Sequence, residues 1–310
     1  MTATIHNQDC IAGMAEHLAP GSIDLTVTSI PFGALFMYSG KTEDIGNNTD
    51  GVDMRASMFG LHLRFFIEQL LRVHKPGTLA CIHIQQLVTY KIQHGYAGRR
   101  DFRGAVVDMF SAGGWDWHGE TVIPKNPQII AQRQHLHSLL FATGYRSGRD
   151  LVPAVNDHIL FFKKPGDAPA VPCLYHRTKN PNGWVSTDEW IRWASGTWTD
   201  IRETDVLEGW ANGRDEEDEK HVAPLQLEVI RRCIKLYSNP GETVLDPFMG
   251  IGSTAWVALE QGRNCVGFEL KESYHRVAAK NLQKAQQLQQ QEQPGLLALI
   301  EQAEMAGVAS

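Results

Sequence analysis

The stretch Val244-Leu245-Asp246-Pro247-Phe248-Met249-Gly250-Ile251-Gly252-Ser253-Thr254 constrains the fold of this chain more than any other. A short apolar run ends on an acidic residue and breaks into a Gly-x-Gly turn. A helix over Thr254 to Gln261 and a second strand over Asn264 to Phe268 follow, the latter ending at Glu269. Strand, helix and strand in so short a span form a βαβ unit, which closes by parallel pairing. The alternation recurs upstream. Ser22 to Ser29 carries Ile23, Leu25 and Val27 at strand spacing, and Leu61 to Val73 has Leu61, Phe65, Phe66, Leu70 and Val73 at helical spacing. Lys75-Pro76-Gly77 stops that helix ahead of a strand over Thr78 to Ile84, and His158 to Phe162 is a further apolar run. The expected fold is α/β, with a mostly parallel central sheet.

The chain divides into an N-terminal part of the core over 1–164, an irregular segment over 165–220, a C-terminal part of the core over 221–290 and a tail over 291–310. The segment 165–220 holds five of the eight tryptophans (Trp184, Trp190, Trp193, Trp198, Trp210) among Gly, Asn, Thr and Asp, with weak periodicity. It reads either as a recognition region or as a small packed subdomain with those tryptophans as its core. Pro224 to Tyr237 then forms a helix closed by Asn239-Pro240-Gly241, and Lys271 to about Gln290 a long one. The Gln- and Ala-rich tail offers no chemistry.

Gly250 and Gly252 let a backbone approach a ligand closely, and Glu269, 19 residues after Gly250, lies where a carboxylate can accept from two ribose hydroxyls. A lone Gly-x-Gly also serves plain helix packing, so the neighbours decide. A phosphate-binding P-loop needs a lysine that is missing here, and the third glycine of a dinucleotide site is replaced by Ala255. A nucleoside cofactor without phosphates fits better, with Asp246 placed to meet a cationic amino group.

A second turn, Thr28-Ser29-Ile30-Pro31-Phe32, follows the first strong strand. In isolation it is an ordinary strand-end turn with a buried phenylalanine. It also has what a flat, amine-bearing ring requires: a side-chain oxygen at Ser29, a backbone carbonyl at Ile30 or Pro31 and a stacking face at Phe32.

Bulk properties narrow the partners. A net charge of -6 argues against a protein that coats nucleic acid over its whole surface, but leaves room for a local basic face. Lys125, Arg133, Arg146, Arg149, Lys163 and Lys164 stand against Asp150 and Asp157, and Arg99, Arg100 and Arg103 form a second cluster. The acidic run Asp215 to Glu219 reads as a solvated loop. The five cysteines lack Cys-x-x-Cys spacing, so no zinc site, other metal or disulfide framework is expected. With no run of roughly 18 apolar residues and no basic start, neither a membrane span nor a signal peptide is expected, which gives a cytoplasmic location.

Asp246 to Thr254 resembles motif I of the S-adenosylmethionine-dependent amino-methyltransferases of DNA, in the form Asp-Pro-Phe-x-Gly-x-Gly-Ser/Thr-Thr. His221-Val222-Ala223-Pro224-Leu225-Gln226 resembles the family's motif X, Asn239 to Leu245 its lead-in, and Glu269 its motif II. Ser29-Ile30-Pro31-Phe32 resembles the catalytic Ser/Asp/Asn-Pro-Pro-Tyr/Phe motif, with Ile30 in place of the first proline. Asp9-Cys10 is similar to the acidic motif beside the cofactor adenine; the competing reading of Asp9 is a helix cap ahead of Ile11-Ala12-Gly13. Phe32-Gly33-Ala34 through Tyr38, Ile45-Gly46 and His74 to Leu79 resemble further segments of the same family.

The resemblance implies a single Rossmann-like methyltransferase domain of the permuted β group, because the catalytic motif precedes the cofactor motif. It implies S-adenosyl-L-methionine as cofactor, held by Asp9, Cys10, Asp246, Pro247, Phe248, Gly250, Gly252, Ser253, Thr254 and Glu269. It implies catalysis at Ser29, Ile30, Pro31 and Phe32 on a base flipped out of DNA. Arg99, Arg100, Arg103, Lys125, Arg133, Arg146 and Arg149 are the candidates for gripping the backbone. Serine at the first motif position is commoner in cytosine-N4 enzymes, which tilts the target from adenine N6 toward cytosine N4. Methylation of RNA or a protein amide, and a decayed binding protein, are the alternatives. The resemblance also suits a stand-alone enzyme of phage or prophage type, and it names no restriction partner, recognition sequence or oligomeric state.

Overall fold

A computed structural model describes residues 1–33, 41–47, 54–89, 91, 95–96, 98–134, 153–171, 185–209 and 224–292. Among these, the strands β1 (Ala3–His6), β2 (Ile23–Ser29), β3 (His74–Gln85), β6 (Asp116–Ile123), β7 (Asp157–Lys163), β8 (Thr243–Asp246) and β9 (Asn264–Phe268) form one sheet in the order β1-β9-β8-β2-β3-β7-β6. Two short strands, β4 (Leu87–Thr89) and β5 (Gly98–Arg100), pair separately. The first five strands of that order run parallel, and β7 pairs antiparallel with both β3 and β6. The mostly parallel α/β expectation therefore holds, with an antiparallel pair at one edge.

The helices cover both faces. On one side α1 (Cys10–His17), α2 (Met58–Val73) and α3 (Phe102–Ala112) bury Met14, Phe59, Leu63, Phe66, Leu70, Phe102 and Phe110 against Ile23, Ile82 and Phe162. On the other, α6 (Leu227–Tyr237), α7 (Ser253–Glu260) and α8 (Glu272–Glu292) bury Ile230, Ile234, Val257, Ala258 and Tyr274 against Leu25, Val27 and Val244. Leu25 and Val27, two residues apart, share one layer, as a strand's period of two requires, while Ile23 enters the other across a register shift between Ile23 and Leu25. Each fully buried Phe or Leu contributes roughly 1.5–3 kcal/mol. No helix among the described residues is long and apolar enough to cross a membrane.

Local signals set several boundaries. Ser57 caps α2 by accepting from Gly60 N at 3.1 Å, so this helix starts three residues before the periodic pattern that began at Leu61. β3 begins at His74 rather than Thr78, because Gly77, at φ +77°, bends the strand without ending it. α4 (Pro127–Gln134) follows β6.

Of the tryptophan-rich segment, α5 (Thr187–Trp193) and its flanks are described. Trp198 is buried in the core cluster beneath α6 and donates from Nε1 to Trp193 O at 2.9 Å. Arg232 of α6 lies over the rings of both Trp193 and Trp198 and binds Asp200 and Glu228 at 2.8 and 2.9 Å. These two tryptophans thus anchor the segment to the main core. Trp184 and Trp210 lie outside the described residues, as do residues 34–38 of the loop after the Ser29 turn and His221 to Ala223.

Candidate active site

Because β8 and β2 are parallel neighbours, with Leu25 opposite Val244 and Thr26 opposite Leu245, their carboxyl ends open at the same edge of the sheet. The two turns singled out in the sequence therefore meet. They line one cleft that includes Ser29, Pro31, Asp246, Phe248, Gly250 and Glu269. Ligands of open α/β sheets bind at this edge.

Asp246 joins the turns. Its Oδ1 accepts from Thr28 Oγ1 at 2.6 Å and from Phe248 N at 3.0 Å, while Oδ2 accepts from Thr254 Oγ1 at 2.6 Å. Burial pushes its carboxyl above the usual range, and the Thr254, Thr28 and Phe248 donors pull against that shift. Thr28 had no role assigned from sequence, since its partner lies 218 residues away.

Glu269 follows β9 directly and accepts from Gly250 N at 2.8 Å and Lys271 N at 2.7 Å, one bond on each oxygen. Surrounding protein raises its pKa to about 7 by desolvation, against those two amide donors, with Asp246 and Asp44 adding to the rise. Part of its surface still faces the cleft, so lone pairs are left for ligand hydroxyls.

Gly250 and Gly252 adopt φ values of +56° and +93°. A Cβ on Gly250 would meet nothing within 4 Å and would project into open space, which marks the turn as a cradle. Gly252 caps α7, and a Cβ there would touch Ala278 at 3.4 Å. Ser253 Oγ is buried with no hydrogen-bond partner among the described residues, an orphan suited to a ligand's polar atom. Pro247 and Phe248 also line the cleft, and Phe248 packs on Phe66 at 5.2 Å.

Asp9 caps α1, accepting from Ala12 N at 2.8 Å, and also lines the cleft beside the buried Cys10. The helix-cap reading of Asp9 therefore holds. Burial pushes the Cys10 thiol far up, so it stays protonated. Glu43 and Asp44, which the sequence did not flag, bring the cleft's carboxylates to five with Asp9, Asp246 and Glu269, against Lys271. The wall suits a cationic ligand.

At the second turn, Ile30 is buried in the core, Pro31 O accepts from Gly33 N at 3.1 Å, and Phe32 stands edge-on to His83 at 5.5 Å. Ser29 Oγ lies 2.8 Å from His83 Nδ1. His83 and Asp157 were missed in the sequence; the available signal was a polar residue inside the apolar run Ile82-His83-Ile84.

The basic candidates divide. Lys125 is a correction: it is buried and pairs with Asp157 at 2.6 Å, so its ammonium points into the protein rather than toward a phosphate. Arg103 makes a two-pronged bond to Glu120, 2.7 Å on each oxygen, and lies over Trp117, which commits its fork to the fold. Arg99 and Arg100 sit on β5, where Arg99 donates to Pro153 O at 2.7 Å. Arg133 lies on α4, with only its backbone described, and Arg146 and Arg149 fall outside the described residues.

A family model described as DNA methylase matches residues 23–280. The type II methyltransferase M.BglI of Bacillus subtilis is 34% identical over 130 residues, 41% of this chain and 30% of that protein. The type II methyltransferase M.MjaI of Methanocaldococcus jannaschii is 27% identical over 210 residues, 66% of this chain and 61% of that protein. The chain thus spans less than two thirds of the length of both relatives. Among solved structures, a candidate DNA modification methylase of Thermus thermophilus, complexed with S-adenosyl-L-methionine, superposes with a TM-score of 0.64 at 21% identity, covering 92% of this chain and 94% of that one. PvuII DNA methyltransferase, cytosine-N4-specific, gives 0.61 at 16% identity over 94% and 92%. At such identities the likeness is one of fold. With its family model covering most of the sequence, the chain belongs to the DNA methylase family of N6/N4 methyltransferases.

Proposed function

We propose that this protein transfers a methyl group from S-adenosyl-L-methionine to the exocyclic amine of a base in DNA, with cytosine N4 as the target. The observation that carries this reading is the meeting of the two turns at one sheet edge, tied by the Thr28–Asp246 bond. When bound, the cofactor supplies a methyl group activated on a sulfonium. The residues present suit it: an acidic wall for its cationic charge, the Gly250 cradle, Glu269 for ribose hydroxyls and the orphan Ser253 Oγ for a polar end group.

The amine of cytosine or adenine is a weak nucleophile, since its lone pair is delocalised into the ring. Ser29 Oγ and a backbone carbonyl accept its two hydrogens and turn the lone pair out of the ring plane. Pro31 O already accepts from Gly33 N, so the carbonyl of Ile30 is assigned the second bond. The motif's missing proline then costs no acceptor, because the carbonyl belongs to the backbone. Phe32 stacks on the flipped base. Catalysis rests on positioning and fixed dipoles, with no covalent enzyme intermediate. Arg99, Arg100, Arg133, Arg146 and Arg149 are assigned to the DNA backbone, and Ser29 is the basis for preferring cytosine.

Incubating the protein with tritiated donor and unmethylated DNA, RNA or protein in parallel tests this reading. Label is expected in DNA, and Phe32→Ala should cut transfer by at least about tenfold while donor affinity changes little. Label in RNA or protein alone would refute the proposal.

A further inference from the structure

The turn that carries Ser29 continues into a buried chain of polar groups. Ser29 Oγ lies 2.8 Å from His83 Nδ1, His83 Nε2 lies 3.2 Å from Asp157 Oδ2, and Lys125 Nζ lies 2.6 Å from the same oxygen. Gln85 Nε2 donates to the other carboxylate oxygen at 3.1 Å. Sheet topology explains the convergence. Ser29 is opposite His83 in the β2–β3 pair, and Asp157 opens β7 opposite Gln85. Lys125 lies two residues beyond Ile123, which ends β6 opposite Asp157. Four strands thus deliver their polar ends to one edge. The side chains of His83, Asp157 and Lys125 are at most 9% exposed. Burying three ionisable groups is costly, and core packing alone gives no reason for them.

Resting on the amine-methylation reading, we propose that His83 is a positioning residue that draws the proton of Ser29 and, through Ser29, receives the proton that the methylated amine must lose. With Asp157 facing Nε2, the ring carries its proton there, although the 3.2 Å contact is off the line of an ideal hydrogen bond. Nδ1 is then an acceptor, Ser29 donates to it, and the lone pairs of Oγ are left toward the cleft that Ser29 lines. That orientation is the one an amine acceptor needs. Lys125 pairs with the same carboxylate and balances its charge, and the proposed relay starts from the neutral imidazole.

In the proton step the amine's N–H bond breaks with its electron pair kept on nitrogen, and an O–H bond forms at Ser29 Oγ. The original Ser29 O–H bond breaks with its pair kept on oxygen, and an N–H bond forms at His83 Nδ1. The nitrogen becomes neutral and the imidazole cationic, opposite Asp157.

The first test needs neither donor nor DNA. Nitrogen NMR of labelled histidine, with His83 assigned by its loss in His83→Asn, is expected to show a neutral ring protonated on Nε2 whose Nδ1 signal moves in Ser29→Ala. A ring protonated on Nδ1, or no response to Ser29→Ala, would overturn the proposal. The second test is single-turnover transfer. His83→Asn keeps an acceptor near Nδ1 but cannot take a proton, so it should slow transfer by about 10²-fold, with donor and DNA affinities within about twofold of wild type. In a Ser29→Ala background it should cost nothing further. A wild-type rate in His83→Asn, or independent losses in the double variant, would overturn the relay; His83→Gln gives the same comparison if His83→Asn melts early. Absence of transfer by the wild-type protein would instead sink the amine-methylation reading, and the relay with it.

Discussion

Thr28 Oγ1 donates to Asp246 Oδ1 at 2.6 Å across 218 residues of sequence, and this bond fixes the Ser29 turn against the Gly250 turn. Both groups are buried, so the bond is a charge-assisted one inside the core. Thr28→Val keeps the shape and removes the donor. We predict a loss of about 2 kcal/mol in urea unfolding, together with weaker donor binding by calorimetry. Unchanged stability and donor affinity would mean that the two turns are held together by other contacts.

On the proposed reading, Gly250 separates donor binding from folding. Its φ of +56° is uncomfortable for a side chain, and its missing Cβ would face open cleft rather than packed core. Gly250→Val is expected to weaken donor binding by at least about tenfold while costing about 1–2 kcal/mol of stability. The checks are donor titration and thermal melting on the same preparation. Normal donor affinity in a folded variant would remove this turn from the binding site.

Glu269 gives a pH signature. Its carboxyl is raised to about 7 in the folded protein from an ordinary value of 4.5. Its contribution to stability is therefore full below about pH 4.5 and is lost as pH rises to about 7. Glu269→Gln does not titrate, so the stability of wild type relative to the variant should fall by roughly 2 kcal/mol over that window, allowing for screening at the cleft. Donor affinity of wild type should rise over the same window, because ribose hydroxyls donate to the ionised form. Urea unfolding and donor titration at pH 5 and pH 8 would show both trends, and a flat difference would contradict the raised pKa.

Lys125 distinguishes a structural cation from a DNA contact. Removing one partner of a buried pair leaves the other charge uncompensated, so Lys125→Met is expected to destabilise the fold by about 3 kcal/mol. The salt dependence of DNA binding should stay the same, because no phosphate contact is lost. A slope reduced by about one, with stability intact, would return Lys125 to the DNA interface.

What the sequence made legible follows from how far each interaction reaches. The β8–turn–α7–β9 unit, with Gly250, Gly252 and Glu269, was readable because its strand ends, glycines and carboxylate lie within a single βαβ stretch. Thr28, His83 and Asp157 were not, because their partners depend on strand order: β2 lies between β8 and β3, and β7 runs antiparallel beside β3. The Asp116–Ile123 strand escaped notice because its polar residues mask the apolar period; its edge position leaves Asp116, Trp117 and His118 exposed. Lys125 and Arg103 were placed with the DNA-facing cations on charge alone, a signal blind to burial and to the Asp157 and Glu120 partners that hold them.

The most direct test of the central claim is the identity of the methylated nucleoside. Unmethylated DNA incubated with the protein and a deuteromethyl-labelled donor, digested to nucleosides and resolved by mass spectrometry, should yield labelled N4-methyldeoxycytidine, and Ser29→Ala should slow its formation by about 10²-fold. Labelled N6-methyldeoxyadenosine would keep the chemistry and overturn the choice of base. No labelled deoxynucleoside from a protein that binds donor would contradict the account.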